Sequence, residues 1–242
     1  MIEIENVVKT YFPGNSTGRR KSRRNGQNEV AAVHALRGIT VQITDGEFTA
    51  FAGPSGSGKT TLLNLAGCLD SITSGKIFID NNDISIMNDR QKNTIRQEKI
   101  GFIFQSYNLI PVLTAQENVE LALHLLKKYT KEEISNQAYD ILKEVGLDGL
   151  QDRKPGELSG GQQQRVSVAR ALVKRPAVIL ADEPTANLDS VSSLMILDLM
   201  KQLNEKYGAT FVFSTHDQTV KNHCRRIIFL KDGLIEREEN KL

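Results

Sequence analysis

The stretch that decides the fold is FAGPSGSGKTTLLNLAG, Phe51–Gly67, in which three glycines and a lysine stand between an apolar run and a helical pattern. Gly53, Gly58, Lys59 and Thr60 match G-x-x-x-x-G-K-[ST], in the strand-then-helix context that this pattern requires. Glycine lets successive backbone N–H groups point inward around phosphate oxygens, and the helix adds its positive end. Lys59 is then expected to reach the β- and γ-phosphates, and the Thr60 hydroxyl to ligate Mg²⁺. A plain turn is the alternative, but the context favours nucleotide binding.

Composition indicates an ordinary soluble globular protein. The chain has 242 residues, of which 39% are hydrophobic and 25% charged, and its formal net charge is only +2. This balance favours neither nucleic acid nor a strongly charged partner. Cys68 and Cys224 lie far apart without metal-ligand spacing, so we interpret both as small buried hydrophobes of a reduced cytosolic chain. The start MIEIENVV resembles no secretion signal, and no apolar run approaches the roughly 20 residues that span a bilayer.

Periodicity along the chain predicts an α/β fold. The runs IEIENVV, ITVQI, FTAFA, KIFID and IGFIF predict strands, with one helix after the glycines, in the first hundred residues. Between residues 114 and 146 the period becomes helical, and TAQE and TKEE have the spacing of capping boxes. Strand AVILAD, a helix over 190–207, strand TFVFST, a short helix and the hairpin RIIFLKDGLIERE then alternate. Such alternation predicts a parallel core sheet.

Two acidic residues end a strand-like run in AVILADEPT. Asp182 follows five residues apolar enough for a strand that is buried on both faces, and α/β sheets present ligands at that end. Asp182 can therefore hold Mg²⁺ through water, and Glu183 is free to orient or deprotonate an attacking water. A pair of surface carboxylates at a strand end is the alternative.

A second glycine-containing helix start lies in ELSGGQQQRVSVARAL. Ser159 can cap the helix with Gln162 as its reciprocal partner, and Gly160 and Gly161 leave their N–H groups open to an anion. Taken alone, this pattern indicates only a capped helix.

The chain resembles the ATP-binding subunit of an ABC transporter over essentially its full length. GPSGSGKT resembles the Walker A motif, LSGGQ the ABC signature and VILADE the Walker B motif. Gln105 in IFQSYNL resembles the Q-loop glutamine, Asp189 ends a D-loop-like ANLD, and His216 in STHD resembles the switch histidine. Tyr11 in KTYF stands where the family has an aromatic residue that stacks on adenine. Each motif alone is weak to moderate evidence, whereas all of them in this order are very specific.

This resemblance implies the architecture and the mechanism. It implies a single domain over 1–242, with a mixed or parallel core sheet, an antiparallel β lobe, and a helical subdomain over about 106–165 that carries the signature. Two copies would meet head to tail, so that each ATP lies between one Walker A motif and the other copy's signature. Hydrolysis would drive a separate membrane permease from the cytosolic face of the cell (inner) membrane. The chain is most similar to the lipoprotein-releasing, macrolide-exporting and cell-division group.

Three sets of site residues follow from the motifs and the resemblance. The catalytic set is Glu183, His216 and Gln105. The Mg²⁺ ligands are Thr60, Gln105 and Asp182. The ATP-binding set is Tyr11, Gly53, Pro54, Ser55, Gly56, Ser57, Gly58, Lys59, Thr60, Thr61, Ser159, Gly160, Gly161, Gln162 and Asp189. His216 could otherwise be an ordinary histidine that ends a strand.

Two rival classes stay open at this point. ABC-type ATPases of DNA repair and ribosome rescue clamp nucleic acid, but they usually carry long coiled-coil arms or two fused ATPase domains. A P-loop kinase or GTPase would not need LSGGQ. Because the chain has neither arms nor a second ATPase domain, we expect no nucleic-acid partner.

A basic insertion stands apart from these motifs. Residues 13–30 are rich in Gly, Ser and Asn and hold five basic side chains within six positions. They are predicted to form a mobile, solvated loop, with contact to phospholipid headgroups or to a partner's acidic face as the alternative. The segment also puts the placement of Tyr11 against adenine in question, since related chains have a short turn there.

We predict that this insertion takes no part in catalysis. Replacing its five basic residues, Arg19, Arg20, Lys21, Arg23 and Arg24, by Ser should leave ATP turnover of the isolated subunit within about twofold of wild type, because a solvated loop contributes little to a distant site. The measurement is phosphate release at saturating ATP. A large loss would mean that the loop touches the nucleotide.

Overall fold

The computed structural model describes residues 1–12 and 32–241, so the predicted basic insertion over 13–30 lies outside the described residues. Ten strands run through these two ranges: β1 Ile2–Tyr11, β2 Val33–Ile43, β3 Phe48–Ala52, β4 Ser74–Ile79, β5 Asn82–Asp83, β6 Ile100–Ile103, β7 Val178–Asp182, β8 Thr210–Thr215, β9 Arg226–Lys231 and β10 Leu234–Asn240. The α-helices are α1 Lys59–Ala66, α2 Asp89–Lys99, α3 Ala115–His124, α4 Lys131–Glu144, α5 Gly160–Leu172, α6 Ser190–Tyr207 and α7 Gln218–His223. A single 3₁₀ turn, Pro155–Glu157, precedes α5.

The larger sheet has the strand order β10-β9-β3-β8-β7-β6. Its strands from β9 to β6 are parallel, and only β10 runs antiparallel to its neighbour. Every residue of β3 and β8 is buried, as expected where helices cover both faces of a parallel sheet. Phe48 packs against Phe211 and Phe213, with ring centroids 5.5 and 4.7 Å apart. The predicted parallel α/β core is therefore confirmed.

A smaller antiparallel sheet covers the helix that follows the glycines. Its strand order is β2-β1-β4-β5. Ile4, Ile39 and Ile77 of this sheet share one buried apolar cluster with Leu62 and Leu65 of α1. The antiparallel β lobe that the resemblance implies is therefore present, and it packs on the helix of the phosphate-binding motif.

Helices α3, α4 and α5 pack beside the larger sheet. Thr114 and Thr130 begin α3 and α4 with complete capping boxes, each closed by a glutamate three residues later, as predicted. Val119, Ala138 and Val166, one from each helix, are fully buried in the same apolar cluster as Phe213 of β8. The predicted helices are confirmed, while their treatment as a subdomain over about 106–165 stays a prediction.

The prediction of one helix in the first hundred residues is wrong, because α2 lies between β4 and β6. Asn88 begins α2: its Oδ1 accepts a hydrogen bond from the Gln91 N–H, and the Gln91 Oε1 accepts one from the Asn88 N–H. Only Ile95 of this helix is buried. With one buried position, α2 has almost no apolar period, so the capping pattern N-x-x-Q is its main sequence signal.

Both cysteines are free and buried, as predicted. Burial raises the pKa of the Cys68 thiol to about 11 and that of Cys224 to about 12, because an apolar surrounding disfavours the thiolate. Both side chains therefore act as small hydrophobes. Among the helices of the described ranges, none combines the length and the apolar character that a membrane span needs.

Candidate functional site

The glycine-rich loop, Glu183 and His216 follow three neighbouring strands and lie at the same edge of the larger sheet. β3, β8 and β7 lie side by side in parallel, with Ala52 opposite Thr215 and Asp182 opposite Ser214. The glycine-rich loop follows β3, while Glu183 follows β7 and His216 follows β8. Since the carboxyl ends of parallel strands meet at one edge, the fold brings together residues far apart in the sequence.

The glycine-rich loop requires glycine at the two positions of the motif. Gly53 has a φ of 154°, and a Cβ there would collide with the carbonyl oxygen of Leu230. Gly58 has a φ of 102° at the start of α1, and a Cβ there would lie 2.7 Å from the carbonyl oxygen of Ala35. Gly58, which begins α1, has no side chain that could cap the helix. The first N–H groups of α1 are therefore left for an anion, with the positive end of the helix behind them.

Lys59 lies inside this loop with only 7% of its surface exposed. Its ammonium donates to the carbonyl oxygens of Gly53 and Pro54, at 2.8 and 2.9 Å. Burial lowers the pKa of the Lys59 ammonium, and the carboxylates of Glu183 and Asp182 oppose that shift. The same loop holds the buried Ser57 hydroxyl, which has no hydrogen-bond partner among the described residues. A cradle with open amides, a buried cation and an unpaired hydroxyl fits a polyphosphate.

Two oxygen ligands for a cation lie beside the loop. The Thr60 hydroxyl, on the first turn of α1, donates to Oδ1 of Asp182 at 3.1 Å. Within the described ranges, no group of three or more His, Cys, Asp or Glu side chains could hold a metal by itself. The pair fits Mg²⁺, which usually takes one or two protein oxygens and completes its shell with water and substrate phosphates.

Glu183 and His216 are in direct contact. Nδ1 of His216 lies 2.7 Å from Oε1 of Glu183, and the Thr215 hydroxyl donates to Oε2 at 3.2 Å. The Glu183 side chain is 16% exposed and that of His216 is 67% exposed. Glu183 has a φ of 43°, and its N–H donates to Ser214 at 2.9 Å. Strained backbone of this kind persists where the surroundings hold it in place, and it concentrates at functional sites.

Gln105 lies on the loop after β6, and Tyr11 is the last residue of β1. Gln105 follows β6 and is exposed, and its backbone oxygen accepts a hydrogen bond from Nδ2 of Asn187 at 3.0 Å. Tyr11 ends β1, and its hydroxyl donates to Oδ2 of Asp70 at 2.8 Å. Burial, and next the hydrogen bond to Asp70, raise the pKa of the Tyr11 phenol. Of the remaining positions, Ser55 and Gly56 lie in the segment that joins β3 to α1, and Thr61 lies in the first turn of α1.

The second glycine motif begins α5 as predicted. The N–H of Gln162 donates to the Ser159 hydroxyl at 3.3 Å, and the Gln162 side chain accepts from the Ser159 N–H at 2.8 Å. The N–H groups of Gly160 and Gly161 remain free of these bonds. Among the described residues, no hydrogen bond joins the motif to the phosphate-binding loop of the same chain.

Asp189 has a local structural role that the motif assignment did not include. Its Oδ1 accepts hydrogen bonds from the backbone N–H groups of Val191 and Ser192, at 3.0 and 2.9 Å, and its Oδ2 accepts from the Ser192 hydroxyl at 2.7 Å. These bonds, led by the Ser192 backbone, lower the pKa of the Asp189 carboxyl. Asp189 therefore begins α6, and the predicted contact to nucleotide stays a prediction.

Sequence reasoning missed the residues that hold Tyr11. Lys9 is buried and donates to Oδ1 of Asp70 and to the carbonyl of Ser71, both at 2.7 Å. Its ammonium also lies 4.6 Å from the centre of the Tyr11 ring. Because Lys9 and Asp70 stand on different elements, no local pattern in the sequence could have paired them.

Comparison with known proteins gives the family. A family model described as ABC transporter matches residues 36–186. The Uncharacterized ABC transporter ATP-binding protein MJ0796 of Methanocaldococcus jannaschii is 46% identical over 244 residues, which cover 99% of this chain and 97% of that protein. The Lipoprotein-releasing system ATP-binding protein LolD of Francisella tularensis is 46% identical over 204 residues, 84% of this chain and 88% of LolD.

A longer relative and a solved structure complete the comparison. The Macrolide export ATP-binding/permease protein MacB of Syntrophobacter fumaroxidans is 42% identical over 98% of this chain, which spans only 31% of that protein. A dimeric structure of the ATP-binding cassette MJ0796, in a post-hydrolysis state bound to ADP and Pi, superimposes with a TM-score of 0.84 at 45% identity. The match covers 99% of this chain and 98% of the solved one.

Proposed function

The chain belongs to the ABC transporter family, and on that premise we propose that it is the ATP-hydrolysing subunit of a transporter whose membrane permease is a separate chain. The observation that carries the proposal is the meeting of the Lys59 loop, the Asp182–Glu183 pair and His216 at the ends of β3, β7 and β8. This edge holds a phosphate cradle, oxygen ligands and a carboxylate base, which are the parts that phosphoryl transfer to water needs.

Each residue of the site has a chemical part in the proposed reaction. Lys59 and the amides after Gly58 hold the β- and γ-phosphates, while Tyr11 stacks on the adenine. Thr60, Asp182 and Gln105 would hold Mg²⁺, which would supply positive charge to the phosphate oxygens. These contacts position the nucleotide, so that chemistry can proceed at the γ-phosphate.

Glu183 and His216 would act on the attacking water. The Glu183 carboxylate accepts a proton from that water, since its oxygens are held by Thr215 and His216 and aimed by the strained backbone. His216, being the more exposed of the two, can hydrogen-bond to the γ-phosphate while it orients Glu183. The pair therefore combines proton acceptance with orientation.

We further propose that the working form is a dimer closed by ATP. The open N–H groups of Gly160 and Gly161 can bind an anion, and among the described residues no hydrogen bond joins them to the phosphate-binding loop of their own chain, so the nucleotide of a second copy could supply that anion. Ser159, Gln162 and Asp189 would hold and flank that site. The dimeric cassette structure bound to ADP and Pi, 45% identical to this chain, supports a nucleotide-bound dimer. In a two-fold dimer both sites would be equivalent, since each copy supplies Glu183 and His216.

A groove offers a docking surface for the permease. It has a volume of about 490 Å³ and lies between the turn after β6 and helices α2, α3 and α5. Its lining includes the apolar side chains Phe102, Phe104, Leu121 and Leu125 together with the basic side chains Arg96, Arg170 and Lys174. The names of the relatives LolD and MacB support a membrane partner, and the chain would then act on the cytosolic face of the membrane.

Placing a charge in this groove should separate the subunit from its permease. Leu125 lines the groove and is 50% exposed, so Leu125→Arg should fold. Because the arginine removes apolar contact and adds a charge to a lining that already holds basic side chains, recovery of the membrane protein with a tagged subunit should fall at least about tenfold. The measurement is affinity purification from gently solubilised membranes, followed by identification and quantification of the proteins recovered.

Leu234→Arg is the matched control, since Leu234 is 45% exposed and lies outside the groove lining. It should leave recovery unchanged, and both variants should hydrolyse ATP at the wild-type rate. Equal recovery with Leu125→Arg would contradict the docking surface. Recovery of ribosomes or DNA without any permease would contradict the transporter proposal and indicate an ATPase that acts on nucleic acid.

A further inference from the structure

Two functional loops of the chain are joined directly to each other by a pair of hydrogen bonds. Asn187, in the loop over residues 184–188, donates from Nδ2 to the backbone oxygen of Gln105 at 3.0 Å. In return, the Tyr107 hydroxyl donates to the backbone oxygen of Asn187 at 3.2 Å. We call this pair of contacts the Tyr107–Asn187 bridge. It ties the turn over residues 105–108 to the loop that runs from Glu183 to Asp189.

The turn that carries Tyr107 is held in a strained conformation. Tyr107 has a φ of 58° and Asn108 a φ of 51°, values that a bulky aromatic residue rarely adopts. Arg170 of α5 holds both residues, since its guanidinium donates to the carbonyl oxygens of Asn108 and Tyr107 at 2.6 and 2.9 Å. A conformation of this cost persists only where its surroundings over-determine it. In this conformation the Tyr107 hydroxyl lies within hydrogen-bond distance of the Asn187 backbone oxygen.

The partner loop is fixed at both ends and by two turn hydrogen bonds within it, from the Ala186 N–H to the Glu183 carbonyl and from the Leu188 N–H to the Thr185 carbonyl. Near Glu183, the Pro184 carbonyl accepts a buried hydrogen bond from Gln164 of α5 at 2.6 Å. At the other end, the Asp189 carboxylate begins α6. Among the described residues, the side-chain hydrogen bonds of Asn187 and those to its backbone all go to the turn over 105–108.

The same hydroxyl lies against the start of α5. A Cβ on Gly160 would be 2.9 Å from the Tyr107 hydroxyl and 3.5 Å from the Leu188 side chain. Gly160 therefore leaves the space that the bridge occupies. The turn after β6, the loop before α6 and the glycine motif of α5 meet at this one point.

We propose that Tyr107 and Asn187 are positioning residues that set the loop over 184–188 in the place required for the ATP-bound dimer to close. This inference rests on the proposed function, and it adds a residue pair that acts through Gln105 and the loop rather than on the nucleotide. A shift of the turn after β6, which also borders the permease groove, moves Asn187 with it. The bridge thus links the groove to the dimer surface within one subunit.

The test uses the full chain in a background that binds ATP without hydrolysing it. In Glu183→Gln, we expect Asn187→Ala or Tyr107→Phe to raise the ATP concentration that gives half-maximal dimer by between about two- and tenfold, as loss of one such hydrogen bond would. Sedimentation at a series of ATP concentrations measures this value. Binding of ADP to the monomer should not change, whereas a general structural defect would weaken it.

Four further variants sharpen the result. Asn222→Ala and Tyr139→Phe, exposed residues on α7 and α4, are matched controls that should leave the midpoint unchanged. The Asn187–Tyr107 double variant removes both hydrogen bonds, the one from Asn187 Nδ2 and the one to its backbone oxygen, so its ATP midpoint should rise beyond that of either single variant. Asn187→Asp keeps the shape of the side chain but lacks the N–H donor, so it provides the same test if Asn187→Ala folds poorly.

The outcomes separate this proposal from the one on which it rests. If Asn187→Ala and Tyr107→Phe dimerise at the same ATP concentration as their background, the proposed role of the bridge is contradicted, while the proposal of an ATP-bound dimer still holds. If the Glu183→Gln background itself does not dimerise with ATP, the proposal of an ATP-closed dimer is contradicted, and the proposed role of the bridge is contradicted with it.

Discussion

Glu183→Gln should reduce ATP turnover by between about a hundred- and ten-thousandfold, the contribution expected of a positioned general base, while an ATP-bound dimer accumulates. Glutamine keeps the size of the side chain and can still bond to Thr215 and His216, which contact Glu183 at 3.2 and 2.7 Å. It cannot accept a proton from water at neutral pH. The nucleotide ligands Lys59 and Thr60 are untouched, so binding should persist while hydrolysis stops.

Two measurements on the same protein test this expectation. Phosphate release at saturating ATP gives the rate, and sedimentation with and without ATP gives the fraction of dimer. Glu205→Gln is the control, because Glu205 is an exposed carboxylate that pairs with Arg225 far along α6. Turnover at the wild-type rate in Glu183→Gln would contradict the role of this carboxylate as the base, whether or not the variant forms a dimer.

Lys59→Ala should weaken ATP binding itself by about ten- to a hundredfold. A hydrogen bond to a charged group contributes about 1.5–3 kcal/mol, and each 1.4 kcal/mol is a factor of ten in affinity. Lys59 is buried in the loop with its ammonium on the carbonyl oxygens of Gly53 and Pro54, so no other side chain of the loop can replace its charge. Titration calorimetry with a non-hydrolysable ATP analogue measures the loss.

Lys131→Ala serves as the matched control, since Lys131 is an exposed lysine in the first turn of α4. It should bind the analogue with the affinity of wild type. An unchanged dissociation constant for Lys59→Ala would contradict the phosphate role of this ammonium. The two active-site variants should therefore differ in kind, with binding lost in one and turnover lost in the other.

The sequence predicted the parts of the site that depend on local geometry. Gly58 needs a left-handed backbone at a helix start, and Asp182 ends an apolar strand, so both could be placed without a structure. The helix over 190–207 was predicted with the bounds that α6 has. The functional roles of Gln105, His216 and the glycines of α5 could be predicted only from the resemblance to the family, because residue spacing alone does not indicate them.

Contacts between distant segments could not be predicted in the same way. Tyr11 and Asp70 are 59 positions apart, and Tyr107 and Asn187 are 80 positions apart. Such pairs depend on how strands are ordered in the sheets, which periodicity does not encode. Helix α2 was missed for a different reason, because Ile95 is its one apolar residue and a single apolar residue shows no repeat along the sequence.

The strand order of the larger sheet has a consequence for synthesis of the chain. β3, which leads into the phosphate-binding loop, pairs only with β8 and β9 among the described strands, and both come more than 150 positions later. The ribosome therefore synthesises the phosphate-binding loop long before the two strands that pair with β3. Sheets built from such distant pairings form slowly and expose unpaired edges meanwhile. The nucleotide site is thus assembled late, after nearly the whole chain has emerged, and a nascent chain that ends before Thr210 carries the motif without the site.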